Sequence, residues 1–263
     1  MSFNLTGKNI LVTGGGGTGV GKGICEVLSG LGATILLNEK KSGDAEQAAK
    51  NYPGAISAGA DITVEDEVEQ MFSEIKNRVG VLHGLVNNAG IGLIKPAYKA
   101  SSEEFDHVFS TDVKGLWHVS KLFANQLIEN NLPGSIVNIS SVHAHSTVPK
   151  YAIYASAKSA VEGLTRGLAV ELGQYNIRVN AIGPGYVYSQ QSMDLISTWA
   201  EDPMEWVKAH TSDQQVLNYE IQPEDCGYTA AFLLSELSRS VTGQTIYVDN
   251  GSTSLLYNRS FTE

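Results

Sequence analysis

Seven short apolar segments recur along the chain, and most are continuous runs rather than alternations of apolar and polar residues. A continuous apolar run of about four to eight residues is typical of a β-strand buried on both faces, as in a parallel sheet. We therefore predict seven strands, at residues 9–13, 33–37, 56–60, 82–86, 135–139, 178–182 and 245–248.

Stretches with helical spacing separate these runs. Between Val64 and Val79, for example, apolar residues recur at steps of three and four, which predicts an amphipathic helix. Strand and helix alternate along the chain without a Pro/Ser-rich linker or an internal repeat. This predicts one α/β domain over residues 1–263, with a doubly wound, parallel, seven-stranded sheet of the Rossmann type. Two segments depart from the alternation, an aromatic-rich stretch at 186–222 and a tail at 252–263.

The net charge, the cysteines and the absence of a long apolar run disfavour several classes of partner and site. Against 18 Lys and Arg stand 28 Asp and Glu, so the net charge of −10 disfavours binding to nucleic acid or to anionic membranes. The two cysteines, Cys25 and Cys226, lie far apart and suggest neither a disulfide framework nor a zinc site. The sequence shows no signal peptide pattern and no apolar run long enough to span a bilayer, so we expect a cytoplasmic protein.

A glycine-rich turn, TGGGGTGVG at residues 13–21, follows the first predicted strand and leads into a helical pattern. Glycines allow positive φ and a close approach of the backbone to a pyrophosphate, while free N–H groups at the start of a helix attract the anion. The turn therefore predicts a dinucleotide site. The residues that would contact the cofactor here are Gly14, Thr18, Gly19, Val20 and Gly21.

Glu39 lies just after the second predicted strand, about 20 residues beyond the glycines. An acidic side chain at this place accepts hydrogen bonds from the ribose hydroxyls of NAD and repels the 2′-phosphate of NADP. Lys40 and Lys41 follow directly and would attract that phosphate if Glu39 turned away. The sequence favours NAD as the cofactor and leaves NADP open.

Several further motifs resemble those of the short-chain dehydrogenase/reductase family in its short single-domain form, over residues 5–251. Ser141 precedes Tyr154 by thirteen residues, and Tyr154-Ala155-Ser156-Ala157-Lys158 is similar to the Y-x-x-x-K motif of that family. The resemblance implies catalysis by Ser141, Tyr154 and Lys158. It also implies cofactor contacts by Asp61 and Ile62 at the adenine, by Asn88, Ala89 and Gly90 beside the cofactor, and by Pro184, Gly185, Val187 and Ser189 at the nicotinamide.

The chemistry of these side chains agrees with the resemblance. Tyr154 and Lys158 stand at positions i and i+4 of a predicted helix, so their side chains are neighbours on one face. A free tyrosine ionises near a pH of about 10, and a nearby ammonium favours the phenolate. Tyr154 then becomes a usable acid or base, while Ser141 can donate a hydrogen bond to the substrate oxygen. Hydride transfer to or from a nicotinamide completes the interconversion of an alcohol and a carbonyl compound.

Two positions depart from the family pattern. The fourth catalytic position of the family, an asparagine on a long helix, falls at Asp112, and we expect Asp112 to support the proton relay partly through its main chain. If its carboxylate lies near Lys158, it would hold the ammonium charged and change the relay. The glycine turn also carries one extra residue, so the assignment of its individual glycines is uncertain by one.

His143 and His145 follow Ser141 closely and invite a metal interpretation. No third ligand stands at a recognisable spacing, so we expect no metal, and we expect His143 to orient the substrate. The resemblance implies that residues 186–222 form a lid over the substrate. Its aromatic residues either contact the ligand, as we expect for Tyr186, or pack the lid. Acidic residues in the lid favour a neutral substrate, such as a polyol, a sugar or a hydrophobic alcohol.

Small residues on the Tyr154 helix allow close helix contacts, either within the subunit or between subunits. The resemblance implies a homotetramer, with Leu255, Leu256 and Tyr257 of the tail docking on a neighbour. Two other functions remain open: an NADPH-dependent 3-oxoacyl thioester reductase, and a dinucleotide-binding protein without turnover. Glu39 and Thr18 argue against the first, and the set of Ser141, Tyr154 and Lys158 argues against the second.

Overall fold

Seven parallel strands form the sheet, in the spatial order β3-β2-β1-β4-β5-β6-β7. The computed structural model describes residues 4–257. The strands are β1 Asn9–Thr13, β2 Thr34–Glu39, β3 Ile56–Gly59, β4 Gly84–Asn87, β5 Gly134–Ile139, β6 Ile177–Pro184 and β7 Thr245–Val248. All seven predicted strands are confirmed, and their ends differ from the prediction by at most two residues.

Nine α-helices of the described chain connect these strands. They are α1 Val20–Gly30, α2 Ser42–Ala49, α3 Glu65–Val79, α4 Ser102–Phe109, α5 Leu116–Glu129, α6 Ala152–Leu172, α7 Gln190–Ile196, α8 Pro203–Gln214 and α9 Pro223–Leu234. The helix predicted from Val64 is confirmed as α3, which begins one residue later. A six-residue π-helical turn, Ser110–Gly115, joins α4 to α5, and the sequence pattern did not predict it.

Each face of the sheet has its own apolar core, which explains why the strands read as continuous apolar runs. Ile10 and Val12 of β1 lie in the core that contains residues of α1 and α9. Leu11, between them, faces the opposite side and packs in the core that contains residues of α3, α5 and α6. The two layers of helices confirm the predicted doubly wound α/β domain.

The strand order reverses between β1 and β4. The chain builds β1, β2 and β3 outward in one direction and then returns to place β4 on the other side of β1. At such a reversal, the connections leave β1 and β4 on opposite sides and open a crevice at the carboxyl ends of the strands. This crevice lies where the glycine-rich turn and the Asn87–Gly90 segment begin.

No helix in residues 4–257 is both long and apolar enough to cross a membrane. Of the predicted tail at 252–263, residues 258–263 lie outside the described residues. The side chains of Leu256 and Tyr257 are exposed.

The packing of α1 on α9 generates a stability prediction. A β-carbon at Gly23 would overlap the backbone carbonyl group of Pro223, at the start of α9. We expect Gly23→Ala to lower the free energy of unfolding by about 2 kcal/mol or more, measured by denaturant titration, because backbone cannot move aside as a flexible side chain can.

Gly30, at the exposed end of the same helix, provides the matched control. A β-carbon there would meet no atom of residues 4–257 within 4 Å. Gly30→Ala should therefore be neutral, or stabilising by about 0.5 kcal/mol. Equal stability of the two variants would contradict the close α1–α9 contact.

Candidate functional site

The glycine-rich turn lines the crevice between β1 and β4. Gly14 has a φ of +63°, and a β-carbon there would lie 2.8 Å from Ala89 Cα. A β-carbon at Gly21 would lie 2.5 Å from the carbonyl oxygen of Gly14, so glycine lets the first turn of α1 fold onto the loop. Residues 16–18 form the exposed tip of the turn.

Helix α1 begins directly at this turn. Among the described residues, no side chain caps its amino terminus at Gly19. Its first N–H groups and the positive end of its dipole are therefore available to an anion. The predicted cofactor contacts Gly19, Val20 and Gly21 lie at this helix start, and Gly14 lies at the beginning of the same turn.

Glu39 lies at the carboxyl end of β2, against the same turn. Its Oε1 accepts a hydrogen bond of 2.6 Å from the backbone N–H of Gly16. A β-carbon at Gly16 would lie 2.8 Å from that oxygen, so a glycine is needed for this approach. The contact holds the carboxylate beside the turn rather than turned away from it.

Lys40 follows Glu39 at the end of β2 and is held by the segment after β3. Its Nζ lies 2.8 Å from Asp61 Oδ2, and Asp61 Oδ1 accepts hydrogen bonds from the backbone and the hydroxyl of Thr63. Partial burial opposes the shift, but the hydrogen bonds from Lys40 and Thr63 lower the pKa of the Asp61 carboxyl. Of the two lysines that could have attracted a phosphate, Lys40 is therefore paired with a carboxylate.

The Asn87–Gly90 segment joins β4 to the glycine turn. Thr13 Oγ1 accepts hydrogen bonds from the backbone N–H groups of Asn88 and Ala89, and Asn88 Nδ2 donates to the carbonyl oxygens of Thr13 and Gly14. These bonds fix the two loops of the crevice relative to each other, so Asn88 acts on the shape of the cradle.

Ser141, Tyr154 and Lys158 come together at the carboxyl end of β5. Ser141 follows the strand, and its Oγ accepts a hydrogen bond from the backbone N–H of His143, which leaves the hydroxyl proton free to be donated. Tyr154 and Lys158 lie one turn apart on α6, with Lys158 Nζ 5.6 Å from the centre of the Tyr154 ring. The predicted helical neighbours are therefore also spatial neighbours in the fold.

Asp112 lies on the π-helical turn and contacts Lys158 directly. Its Oδ2 is 3.0 Å from Lys158 Nζ, and both side chains are almost fully buried. Burial alone would lower the pKa of the Lys158 ammonium, but Tyr154 and Asp112 outweigh it and raise that pKa. Asp112 Oδ1 accepts a hydrogen bond of 2.8 Å from the backbone N–H of Ile91. The side chain, and not just the main chain, is thus part of the site.

His143 forms one wall beside Tyr154. Its ring stacks on Tyr151 at 4.4 Å between centroids and meets the edge of Tyr154 at 5.7 Å. Its Nδ1 lies 2.9 Å from Thr147 Oγ1, and burial lowers the pKa of the His143 imidazole, so the ring is neutral at pH 7. Sequence reasoning did not single out Tyr151, although its position three residues before Tyr154 places it on the same helical face.

The two ends of the segment at 186–222 lie side by side. Val187 and Ile221 form a parallel bridge, which brings the two ends of the segment together. Inside the segment, the backbone N–H of Gln191 donates to Thr18 Oγ1 on the glycine turn. Thr18 therefore contacts the lid segment as well as lining the turn, a role that the sequence did not indicate.

Ser189, expected at the nicotinamide, also begins α7 as its N-cap. Its Oγ accepts a hydrogen bond from the backbone N–H of Ser192 and caps α7, and Ser192 Oγ accepts from the Ser189 backbone in return. Pro184 and Gly185 lie at the carboxyl end of β6 as expected, with Gly185 N–H bonded to Val248 O. The helix start at Gln190 explains why Ser189 is recruited as a cap.

Tyr186 packs within residues 186–222. Its ring contacts Trp206 and His210 at 5.3 and 5.2 Å, and the rings of Trp206 and His210 stack at 5.0 Å. Trp199 also meets Trp206, at 6.4 Å. Of the two interpretations left open for these aromatic residues, the contacts favour packing of the lid. The sequence pattern did not single out His210. Its spacing of four from Trp206 on α8 is the signal that indicates this contact.

A family model described as enoyl-(acyl carrier protein) reductase matches residues 15–253, nearly the whole described chain. The chain belongs to the short-chain dehydrogenase/reductase family.

Two relatives and one solved structure show how far the similarity extends. The chain is 32% identical to carbonyl reductase [NADPH] 2 of Sus scrofa over 251 residues, which are 95% of this chain and 98% of the relative. It is 33% identical to the L-xylulose reductase of Bos taurus, over the same shares of both chains. A short-chain type dehydrogenase/reductase from Mycobacterium marinum has 27% identity and a TM-score of 0.84, covering 97% of this chain and 100% of that one. The chain is thus an oxidoreductase acting on alcohol or carbonyl groups.

Short-chain dehydrogenases/reductases bind NAD(P), and the crevice fits such a dinucleotide. Gly14, Gly16 and Gly21 each stand where a β-carbon would meet backbone or a carboxylate, so glycine lets the turn fold closely against its neighbours. The uncapped start of α1 supplies N–H donors, and Glu39 lies where ribose hydroxyls would be bound. Ser141, Tyr154 and Lys158 lie at the same edge of the sheet, so an acid or base and a hydrogen-bond donor stand beside the cofactor crevice.

Proposed function

We propose that this protein is an NAD(H)-preferring oxidoreductase that interconverts a secondary alcohol and the corresponding ketone. The observation that carries the proposal is the cluster of Ser141, Tyr154 and Lys158 at the carboxyl edge of the sheet, where the glycine turn also ends β1. An acid or base, an oxygen-binding hydroxyl and a dinucleotide cradle at one edge are the parts that this reaction requires.

Each residue of the cluster has one role in the proposal. The nicotinamide, when bound, exchanges a hydride with the substrate carbon. Tyr154 gives its proton to the substrate oxygen during reduction and takes it back during oxidation. Ser141 donates a hydrogen bond to the same oxygen while negative charge develops there. Lys158 holds the nicotinamide ribose and stabilises charge on Tyr154, and Asp112 forms an ion pair with Lys158.

The NAD preference rests on Glu39 and Lys40. The Gly16 N–H holds the Glu39 carboxylate at the ribose position, where a 2′-phosphate would meet a negative charge. Lys40, which could have balanced that phosphate, is instead bound to Asp61. The name of the pig relative, carbonyl reductase [NADPH] 2, gives NADPH as the cofactor of that protein. The proposed cofactor preference of this chain differs from it.

The substrate is proposed to be a neutral polyol, sugar or hydrophobic alcohol. His143 and Tyr151 give the pocket an aromatic wall beside Tyr154, and such a wall packs against a ring or a carbon chain. The L-xylulose in the name of the bovine relative is a sugar with a ketone group, which agrees with this class. Residues 186–222 would act as the lid that covers the substrate, with Tyr186 as part of its packed interior.

The association of subunits and the location in the cell belong to the same proposal. On α6, Ala155 and Ala157 are buried within the subunit, whereas Ser156, Ser159 and Gly163 are exposed and leave the outer face of the helix flat. A flat exposed helix face supports the homotetramer that the family resemblance implies, with the tail at Leu255–Tyr257 near a neighbour. The proposed location is the cytoplasm.

An assay of NAD and NADP reduction tests the reaction. The panel contains polyols, sugars, hydroxy acids and cyclic or aryl secondary alcohols, with the matching ketones and a 3-oxoacyl thioester assayed in reverse. We expect turnover that falls by about a thousandfold or more in Tyr154→Phe, because the proton donor is lost. Tyr98→Phe, which alters an exposed tyrosine, is the control and should keep full activity.

The outcomes of this assay separate the candidate functions. Turnover of the thioester alone with NADPH would favour the biosynthetic reductase. Binding of a dinucleotide without turnover above the Tyr154→Phe background would favour a binding protein.

The choice of cofactor is tested by a variant at Glu39. We expect Glu39→Ser to shift the ratio of kcat/KM for NAD to that for NADP at least about tenfold towards NADP, because a charged acceptor for the ribose is removed. Lys40→Ala should leave the ratio within about threefold, and so should Glu46→Ala on the exposed side of α2. A wild-type enzyme that already prefers NADP would contradict the role of Glu39.

The role of His143 is tested against its neighbour His145. We expect His143→Ala to raise KM about tenfold on the best substrate of the panel, because the aromatic wall beside Tyr154 loses its outer ring. His145→Ala removes an exposed imidazole from the same segment and should change KM less than about twofold. Unchanged KM and kcat in His143→Ala would exclude the substrate role.

A further inference from the structure

The ion pair between Asp112 and Lys158 places two opposite charges behind Tyr154. Asp112 Oδ2 lies 3.0 Å from Lys158 Nζ, and the exposed fraction of each side chain is 6% or less. Nζ also donates to the carbonyl oxygen of Ile139 at 3.2 Å, and Asp112 Oδ1 is held by the N–H of Ile91. Both ends of the pair are therefore fixed by backbone, and the pair cannot separate without breaking these bonds.

The groups that face Tyr154 and Lys158 come from four parts of the fold. Asp112 approaches from the π-helical turn, and His143 from the turn after β5. Tyr151, the residue before α6, lies 6.2 Å from Tyr154. Strand β5 contributes the Ile139 carbonyl oxygen, and Glu162, one turn further along α6, is bound to Ser140 and Tyr247 instead. His143 is neutral at pH 7, so the fixed charges in this set are those of Asp112 and Lys158.

We propose that Asp112 is a positioning residue that cancels the charge of the Lys158 ammonium, keeps the Tyr154 phenol protonated at neutral pH, and so sets this enzyme for carbonyl reduction. The inference rests on the proposed oxidoreductase function and adds its direction.

The effect of the Lys158 ammonium on Tyr154 depends on whether the ammonium faces an amide or a carboxylate. An ammonium that faces an amide presents a charge of +1 to the phenol, and an opposite charge within about 4–6 Å favours the phenolate. The same ammonium paired with a carboxylate presents a pair of net charge zero, whose effect on a third group falls off much faster with distance. Asp112 therefore weakens the ability of Lys158 to draw the proton from Tyr154.

The protonated phenol has a defined place in the reaction. In reduction, a bound reduced nicotinamide would supply the hydride, which brings one hydrogen and two electrons to the carbonyl carbon. The carbonyl oxygen takes the proton of Tyr154, and the phenolate regains a proton from solvent. In oxidation the same residue must begin as the phenolate. A site that keeps the phenol protonated is ready for reduction at neutral pH and needs a higher pH for oxidation.

The direct test follows the ionisation of Tyr154 without any substrate. Tyrosinate has its own ultraviolet absorbance, so the titration of the wild type minus that of Tyr154→Phe isolates this phenol. The same difference is measured in an Asp112→Asn background. Asparagine is nearly isosteric with aspartate, and its amide oxygen can still accept from Ile91 N–H. We expect the phenol to ionise about one pH unit lower, or more, in the Asp112→Asn background.

Two controls keep the result interpretable. Asp106→Asn removes an exposed carboxylate from α4, close in sequence, and should leave the titration unchanged. Asp112→Ser removes the same charge with a smaller side chain and should shift the titration in the same direction as Asp112→Asn. Circular dichroism over the same pH range defines the interval in which each variant stays folded.

The possible results test the electrostatic role of Asp112 separately from the proposed function. An unchanged or higher ionisation pH in Asp112→Asn overturns the inference, whatever the enzyme turns over. A lowered ionisation pH without turnover of any alcohol or ketone supports the electrostatic role of Asp112 and removes the proposed function instead. Where turnover is found, the loss of reduction on raising the pH should begin about one unit lower in Asp112→Asn than in the wild type.

Discussion

The parallel arrangement of the strands is the constraint on which the site depends. Because every strand runs in the same direction, all carboxyl ends meet at one edge, and the reversal between β1 and β4 opens that edge into a crevice. Gly14 follows β1, Glu39 ends β2, Asn88 follows β4 and Ser141 follows β5. Residues from distant parts of the chain therefore share one surface, and no single loop has to carry the whole site.

Buried polar bonds set the relative positions of the elements at this edge. Asn87 of β4 donates to Asn138 of β5 and to Ser120 of α5, and Asn138 donates to Thr165 of α6. A buried amide without partners is costly, so these bonds favour one arrangement of the elements. Because α6 also carries Tyr154 and Lys158, the same chain of bonds fixes the distance from those side chains to Ser141 at the end of β5.

The sequence was sufficient for the fold, and it identified Ser141, Tyr154 and Lys158, which the fold brings to one edge of the sheet. Burial on both faces makes each strand a continuous apolar run, and the spacing of four between Tyr154 and Lys158 is a local property of a helix. The sequence did not indicate which distant segments contact each other. Nothing local indicates that Gly16 holds Glu39, that Asp61 holds Lys40, or that His143 stacks on Tyr151. Ser189, expected at the nicotinamide, also caps α7 because the helix begins one residue later, which the pattern of residues 186–222 did not reveal.

The pair of Asp112 and Lys158 shows why the site cannot be understood as a set of independent residues. A buried ion pair is weakly stabilising at best, since two apolar side chains of similar size often serve the fold equally well. The surrounding backbone is nevertheless adapted to it. A β-carbon at Gly90 would lie 3.1 Å from both Asp112 Oδ2 and Lys158 Nζ, so the glycine of the cofactor segment makes the room that the two charges occupy. The π-helical turn likewise brings Asp112 inward at a position where a regular helix would space its residues differently. Space and local geometry thus serve to hold a charge pair behind Tyr154, and in the proposed reaction its benefit lies in the chemistry of that phenol rather than in the stability of the fold.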